Sequence, residues 1–422
     1  MKYTIQKSKL KGSLEIPPSK SHTHRALLFS LLASGVTKIH NYLDSSDSAA
    51  MLNAIEQFGA KVQKSADMLT IEGVGSFFRP AKNFIHAQNS GIVLRFIGAL
   101  AALSSEETVI TGDLSICTRR PIKPLLDALK QLGVSAESIR GNDYAPIMIK
   151  GPLSSGTCTL DGKDSQPVSA LLIATSFAKG ASEIYVTDPG EKPWIDLTLS
   201  WLDFHKLPYE NHDYTYYKIP GGASISGFEY TVPGDFSSLA FPVAAALITQ
   251  SEITLENVDR NDIQGDKKFL DFVQEMGAEL EFSGKTLYVK KSGPLQGKTF
   301  DINGAIDTIT ILAVLASFAE GETVLTNAAI ARKKECDRIH AITTELKKMG
   351  ADIEEKEDGL VIRRSPLKGA ILKTYHDHRM VMSLSVAAMG AEGTSIIEGV
   401  SSARKTYPHF KDHMAALGAN IR

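Results

Sequence analysis

Apolar and polar positions along this chain repeat on a long period. A helix-like apolar run, a few small residues or Gly, and a short strand rich in β-branched residues occur together at 32–39, 102–109, 177–184, 248–253, 318–324 and 389–396. The last positions of these segments are separated by 70, 75, 69, 71 and 72 residues, so one unit is present six times. A second marker falls between the copies. It reads Phe58-Gly59-Ala60, Leu132-Gly133-Val134, Met276-Gly277-Ala278, Met349-Gly350-Ala351 and Leu417-Gly418-Ala419, with His205-Lys206-Leu207 at the corresponding place in the third copy. Each marker closes an amphipathic helix, such as 339–349, and precedes short strands, such as 351–354 and 359–362. The unit therefore reads βαβαββ, longer than the common solenoid repeats.

One helix of each unit is amphipathic and the other is apolar almost all round. A helix without a polar face has to be enclosed on every side. Six of them are enclosed most simply as two groups of three with sheets packed outside, which predicts an α/β protein of two domains. The chain would cross between them near Val232-Pro233-Gly234-Asp235 and near Pro17-Pro18. Residues 18–233 then form one domain and 1–17 with 234–422 the other, with a hinge near 17–20 and 232–236.

The candidate chemistry lies at the starts of the apolar helices. In the first, Leu27, Leu28, Leu31 and Leu32 predict a helix over 21–33, Pro18 and Ser19 mark its entry, and Gly35 its C-terminal cap. The N–H groups and positive dipole end at its mouth favour an anion, and Lys20 and Arg25 add charge there. A capped, solvated helix start with scattered charges is the plainer alternative. The other starts are Gln88-Asn89-Ser90-Gly91 with Arg95, Asp164-Ser165-Gln166, Gly234-Asp235-Phe236-Ser237-Ser238, Ala305-Ile306-Asp307-Thr308 and His376-Asp377-His378-Arg379. Capping accounts for Ser and Asp at such places. It does not account for Lys20, Gln166 and Arg379.

Composition narrows the ligand. With 422 residues and a formal net charge of -2, anion recognition has to come from local clustering, and no nucleic-acid or membrane partner is expected. Residues 1–11 hold no apolar stretch of signal-peptide length, and the longest apolar run, 309–319, is too short to span a bilayer. Cys117, Cys158 and Cys336 are odd in number and lack paired spacing, which reads as reduced thiols in a cytoplasmic protein. Further cations occur in Arg119-Arg120-Pro121, Lys333-Lys334-Glu335-Cys336-Asp337-Arg338 and Arg404-Lys405. Any one of these runs is ordinary surface charge; beside the helix starts they outline a site for a small, multiply anionic ligand. Asp307, Glu335 and Asp235 stand among them, either as salt-bridge partners or as a pair dividing proton acceptance from donation. His22 with His24 and His376 with His378 have a metal-like spacing, but basic surroundings oppose a divalent cation, and no metal or organic cofactor is expected. Walker, dinucleotide and nucleophile motifs are lacking.

These residues, in this order, resemble the enolpyruvyl transferase family over essentially the whole chain, and within it the branch that acts on shikimate 3-phosphate. The signatures are Ser19-Lys20-Ser21 to Arg25, Asn89-Ser90-Gly91 to Arg95, Arg120-Pro121-Ile122, Pro233-Gly234-Asp235-Phe236-Ser237-Ser238, Lys334-Glu335-Cys336-Asp337-Arg338, Asp377-His378-Arg379-Met380 and Lys405-Thr406-Tyr407-Pro408. The resemblance implies a two-domain inside-out α/β barrel with three βαβαββ units per domain. It implies transfer of the enolpyruvyl group of phosphoenolpyruvate to the 5-hydroxyl of shikimate 3-phosphate, by addition and elimination through a phosphorylated tetrahedral adduct, without a cofactor and by a monomer. Lys20, Ser21, Arg25, Ser165, Gln166, Asp307 and Lys334 resemble the shikimate 3-phosphate set. Lys20, Asn89, Gly91, Arg120, Gln166, Arg338, Arg379 and Lys405 resemble the phosphoenolpyruvate set. Asp307 resembles the group that takes the hydroxyl proton and Glu335 the donor to the methylene carbon, with Lys20 as the third catalytic candidate.

Some positions depart from the family's commonest form: Asp164, Glu191, Trp194 and Ile330 stand where Ser, Ser, Tyr and Asn are usual. A carboxylate near a phosphate site has to be paired, for Glu191 with Lys192 or Lys163 for instance. The Pro-Trp pair and the Asn-Ser-Gly-Ile-x-Leu-Arg-Phe pattern are similar to chlamydial members. Ile92 and Phe96 replace the usual Thr and Pro, and bulk there implies reduced glyphosate sensitivity with phosphoenolpyruvate use retained. The sister branch acting on UDP-N-acetylglucosamine carries a Cys in a mobile loop, and Cys117 keeps that alternative open; a non-catalytic anion-binding paralogue is a second.

Overall fold

The computed structural model describes residues 1–75 and 84–422. Six apolar helices anchor it: α1 (Lys20–Leu32), α2 (Gly91–Ala101), α3 (Ser165–Phe177), α4 (Phe236–Ile248), α5 (Ile309–Phe318) and α6 (His378–Gly390). Almost every residue in them is buried whichever way it points, as their unbroken hydrophobicity requires. Several internal hydroxyls bond to the preceding turn: Thr175 Oγ1 donates to Leu171 O at 2.7 Å, Ser317 Oγ to Ala313 O at 3.0 Å and Ser385 Oγ to Val381 O at 2.7 Å. The chain divides into two compact units. Ser19–Val232 holds α1 to α3, and Met1–Pro18 with Pro233–Arg422 holds α4 to α6.

All six repeat strands are present, at Ala33–His40, Thr108–Thr111, Ser182–Thr187, Glu252–Glu256, Glu322–Thr326 and Thr394–Glu398. Each pairs in parallel on one side and antiparallel on the other; Ser182–Thr187, for example, lies between Gly156–Asp161 and Tyr216–Ile219. The sheets cover the central helices, which is the inside-out α/β barrel arrangement of each unit. Two rings are closed by residues distant in sequence. Ile225–Ser226 and Glu229–Thr231 pair with Ala33–His40, so the end of the Ser19–Val232 unit returns to its first repeat. In the other unit Lys11–Glu15 pairs with Glu252–Glu256 and Lys2–Gln6 with Thr394–Glu398, so the first strands of the chain complete its first and last repeats.

The glycine marker is a helix C-cap. Gly59, Gly133, Gly277, Gly350 and Gly418 have φ of 101°, 80°, 102°, 92° and 98°. The N–H of the next residue reaches back five positions, as from Ala60 to Ile55 O at 3.1 Å and Ala351 to Leu346 O at 3.0 Å. Lys206 takes this place in the third repeat with φ of 56°, and Leu207 N–H still reaches Leu202 O at 2.9 Å. At α1 the expected cap is displaced. The helix runs one residue earlier than 21–33, and Gly35 lies inside the strand Ala33–His40, because Ala33 passes straight into extended backbone. No helix among the described residues is long and apolar enough to cross a membrane.

Candidate active site

Five of the six apolar helices begin on a side-chain cap. Ser19 accepts from His22 N, Ser90 from Val93 N, Asp164 from Gln166 N, Asp235 from Ser238 N and Asp377 from Arg379 N. Asp235 is thereby engaged in capping, accepting from Ser238 N at 2.7 Å and Ser237 Oγ at 2.6 Å. The exception is α5, which is entered through a 3-10 turn, Asn303–Thr308, with Ala305 outside helical geometry and no side-chain cap. Asp307, on that turn, points to arginines instead of to its own helix.

In the unit formed by Met1–Pro18 and Pro233–Arg422, the guanidinium of Arg338 is the centre. It is 1% exposed and donates from Nε to Asp377 Oδ2 at 2.8 Å, from Nη1 to Asp307 Oδ1 at 2.7 Å and from Nη2 to Glu335 Oε2 at 2.7 Å. The other Asp307 oxygen takes Arg379 Nη2 at 2.6 Å, and the other Glu335 oxygen takes Lys405 Nζ at 2.6 Å. Both candidate acid–base groups are thus bridged between two cations. Burial opposes the charge on Arg338, but Asp377, Glu335 and Asp307 outweigh it and push the guanidinium pKa further up. Glu335, Asp377 and His378 lie close enough to hold a metal, but the two carboxylates already face Arg338 and Lys405. Lys334 is half-buried beside Glu335, and Ile330 packs on the hydrophobic core.

In the Ser19–Val232 unit, Arg25 is 3% exposed. Its donors go to Thr198 Oγ1 at 2.7 and 3.1 Å, Ser21 O at 3.2 Å and Trp194 O at 3.2 Å, and its guanidinium lies over the Phe96 ring. No carboxylate among the described residues contacts it, and burial lowers its pKa to about 9. A second cluster gathers at Gly91. A Cβ there would come within 2.8 Å of Arg95 Nη1 and 3.1 Å of Arg120 Nη1, so the missing side chain is what lets both guanidinium groups approach the start of α2. Arg95 joins Gln166 Oε1 at 3.0 Å, Pro121 O at 3.1 Å and Asp164 Oδ2 at 2.9 Å, which draws three of the sequence motifs together. Lys20 Nζ lies 3.6 Å from Asp47 Oδ2. The Asn89 carboxamide donates to Asp113 Oδ2 at 2.6 Å and Ser115 Oγ at 3.1 Å, holding the neighbouring turn.

Glu191 is buried with φ of 46°, and its Oε2 accepts from Ser165 N at 3.1 Å and Ser165 Oγ at 3.2 Å. The lysines expected beside it have other partners: Lys163 reaches Asp161 and Asp188, and Lys192 lies over the Tyr214 ring. The N-terminus of α3 thus donates to this carboxylate. Cys117 is a buried thiol on a short helix, Leu114–Thr118, donating to Gly112 O at 3.5 Å, which is not the placement of a loop nucleophile.

Three residues of these clusters were not singled out from the sequence as site residues. Arg95 follows Gly91 at the spacing by which Arg25 follows Ser21, a signal within reach. Asp377 was visible as a cap, but its grip on Arg338 was not. Asp266 gave no local signal: it is fully buried, neither carboxylate oxygen has a hydrogen-bond partner among the described residues, and burial, then the nearby Asp307, raises its pKa well above the carboxylate range.

Comparison with known proteins matches residues 5–414 to a family model described as EPSP synthase (3-phosphoshikimate 1-carboxyvinyltransferase). A 3-phosphoshikimate 1-carboxyvinyltransferase of Chlamydia pneumoniae is 43% identical over 421 residues, which is 99% of this chain and 94% of that one. Another, from Acetivibrio thermocellus, is 42% identical over 417 residues, 99% and 98% of the two chains. An EPSP synthase structure from Acinetobacter baumannii superposes with a TM-score of 0.84 at 28% identity, covering 100% of this chain and 99% of that one.

Proposed function

The chain belongs to the EPSP synthase family, and from that premise we propose that it transfers the enolpyruvyl group of phosphoenolpyruvate to the 5-hydroxyl of shikimate 3-phosphate, releasing phosphate, as a cytoplasmic monomer. The observation that carries the site assignment is Arg25, a buried cation whose partners among the described residues are all neutral. Such a charge calls for an anion from outside, and a phosphorylated substrate supplies it. Lys20, Ser21, Arg25, Ser165, Gln166, Asp307 and Lys334 take shikimate 3-phosphate; Lys20, Asn89, Gly91, Arg120, Gln166, Arg338, Arg379 and Lys405 take phosphoenolpyruvate. Ser165 then has to serve both its phosphate and Glu191.

In the addition, Asp307 accepts the 5-hydroxyl proton as the oxygen bonds to C2 of phosphoenolpyruvate, and Glu335 gives a proton to C3. Both oxygens of Glu335 face cations, so its proton has to be handed on by one of them. Lys405, 2.6 Å away, can release one where Arg338 cannot. Collapse of the adduct breaks the bond from C2 to the phosphate oxygen and returns a C3 proton to Glu335. The cations hold two charged substrates in reacting geometry and stabilise the charge that develops.

The test is incubation of the purified protein with phosphoenolpyruvate and shikimate 3-phosphate, without added metal, following phosphate and the enolpyruvyl product together. Equal release of both supports the reading. Binding of either substrate without turnover overturns it in favour of an altered acceptor or a binding paralogue.

A further inference from the structure

Left-handed backbone at residues other than glycine falls into two sets here. One follows the repeat: Asn41, Asp188, Asn257 and Asn327 each come directly after the repeat strand, and Gly399 does the same after Thr394–Glu398. Asn, Asp and Gly tolerate that region at little cost. In the other set Asp213 and Tyr214 are a consecutive pair, and so are Tyr375 and His376, with φ of 52° and 58°. The latter pair stands immediately before Asp377, which caps α6 and grips Arg338. A bulky residue such as Tyr375 stays in this region only where its surroundings hold it.

Glu345 is what holds it. Its carboxylate is fully buried on the helix Arg338–Lys348. It accepts from Tyr375 OH at 2.7 Å, from Lys373 N at 2.9 Å, and from Lys348 Nζ at 2.7 Å on each oxygen. Burial, then Glu345, raises the pKa of the Tyr375 phenol, so it remains a donor. One helix therefore carries Arg338 at its first residue and, about two turns on, the carboxylate that fixes the backbone delivering Asp377 and Arg379. The Asp377 to Arg338 ion pair at 2.8 Å closes the circuit.

We infer that Glu345 and Tyr375 form a latch that positions Asp377, Arg338 and Arg379 for phosphoenolpyruvate. The inference rests on the reading above that both arginines hold that substrate. Neither latch residue touches the reacting atoms; both act through the 373–377 backbone.

The experiment compares steady-state enolpyruvyl transfer and Tm for wild type, Tyr375→Phe, Glu345→Gln and the double variant. Tyr375→Phe removes a single hydroxyl. KM for phosphoenolpyruvate should rise at least about fivefold with KM for shikimate 3-phosphate within about twofold, and the double variant should be no worse than Glu345→Gln, because coupled groups lose one interaction once. An unchanged KM for phosphoenolpyruvate in folded Tyr375→Phe, or an equal rise in both KM values, overturns the latch. If Glu345→Gln fails to fold, Tyr375→Phe decides alone. A wild-type protein without turnover would sink the functional reading instead. The latch is then judged by amide exchange over 374–379, roughly tenfold faster in Tyr375→Phe if it exists and unchanged if it does not.

Discussion

The guanidinium carbon of Arg25 lies 5.4 Å from the centre of the Phe96 ring, and every other partner of this buried cation among the described residues is a neutral oxygen. The arrangement holds a positive charge ready without cancelling it. Arg25→Met should therefore leave the unliganded protein at least as stable, while weakening shikimate 3-phosphate binding by ~100-fold or more, about 3 kcal/mol for charge-assisted bonds. Thermal unfolding and calorimetric titration read the two quantities separately.

The same group sets a pH dependence with opposite signs for stability and binding. Burial disfavours the charge and lowers its pKa to about 9. Below pH 9 the folded and unfolded chains are both protonated there, and the burial penalty is fully present. Above pH 9 the folded chain gives up its proton before the unfolded chain does, so this contribution to stability improves as pH rises. Shikimate 3-phosphate affinity moves the other way, falling through pH 9 as its partner loses charge. Affinity that is flat across this range would mean that the Arg25 guanidinium keeps its charge in the fold.

Asp307→Ala removes the carboxylate bridging Arg338 and Arg379. Turnover should fall roughly 10²–10⁴-fold, the range for a general base, with shikimate 3-phosphate still bound, since two cations gain availability. Single-turnover phosphate release beside equilibrium binding separates these effects. Loss of binding with turnover preserved in single-turnover assays would leave Asp307 its contact with shikimate 3-phosphate and remove it as the base.

Ile92 and Phe96 are buried on α2, whose first residue, Gly91, is flanked by Arg95 and Arg120. Bulk under that short stretch should shift Gly91 toward the phosphoenolpyruvate pocket. More glyphosate should be needed for half inhibition than in a sensitive family member assayed alongside, with KM for phosphoenolpyruvate comparable. Inhibition at matching concentrations would refute this.

Lys206 holds a left-handed conformation that Gly occupies in the other five repeats. Lys206→Gly should stabilise the protein by about 1 kcal/mol, the steric cost of that conformation less the entropy Gly adds to the unfolded chain. A denaturant midpoint that rises with unchanged slope would show it; a fall would mean that the lysine stem contributes packing there.

The repeat was legible because its cause is local. An apolar helix has to be enclosed whatever surrounds it, and a Gly after an amphipathic helix marks a left-handed cap, so six strands and five C-caps could be read one segment at a time. Lys206 shows the limit of that reading. No residue type there announces a cap, and the bond from Leu207 to Leu202 reveals it only in the folded chain.

The site divides along the same line. Residue types and their helix-start positions pointed to anion chemistry, and the order of motifs to the family, because capping groups and cations act within one turn. What each charge faces is set by contacts far apart in sequence. Asp235 turned out to be a cap and Asp307 a bridge because α5 alone is entered through a 3-10 turn. Glu191 accepts from the Ser165 amide and hydroxyl, 26 residues away in the chain. Asp266 became a buried acid only when its turn packed beside Asp307. Periodicity and local capping determine elements from sequence alone; burial, and therefore the charge state and partner of each ionisable group, is decided only when distant segments exclude water from it.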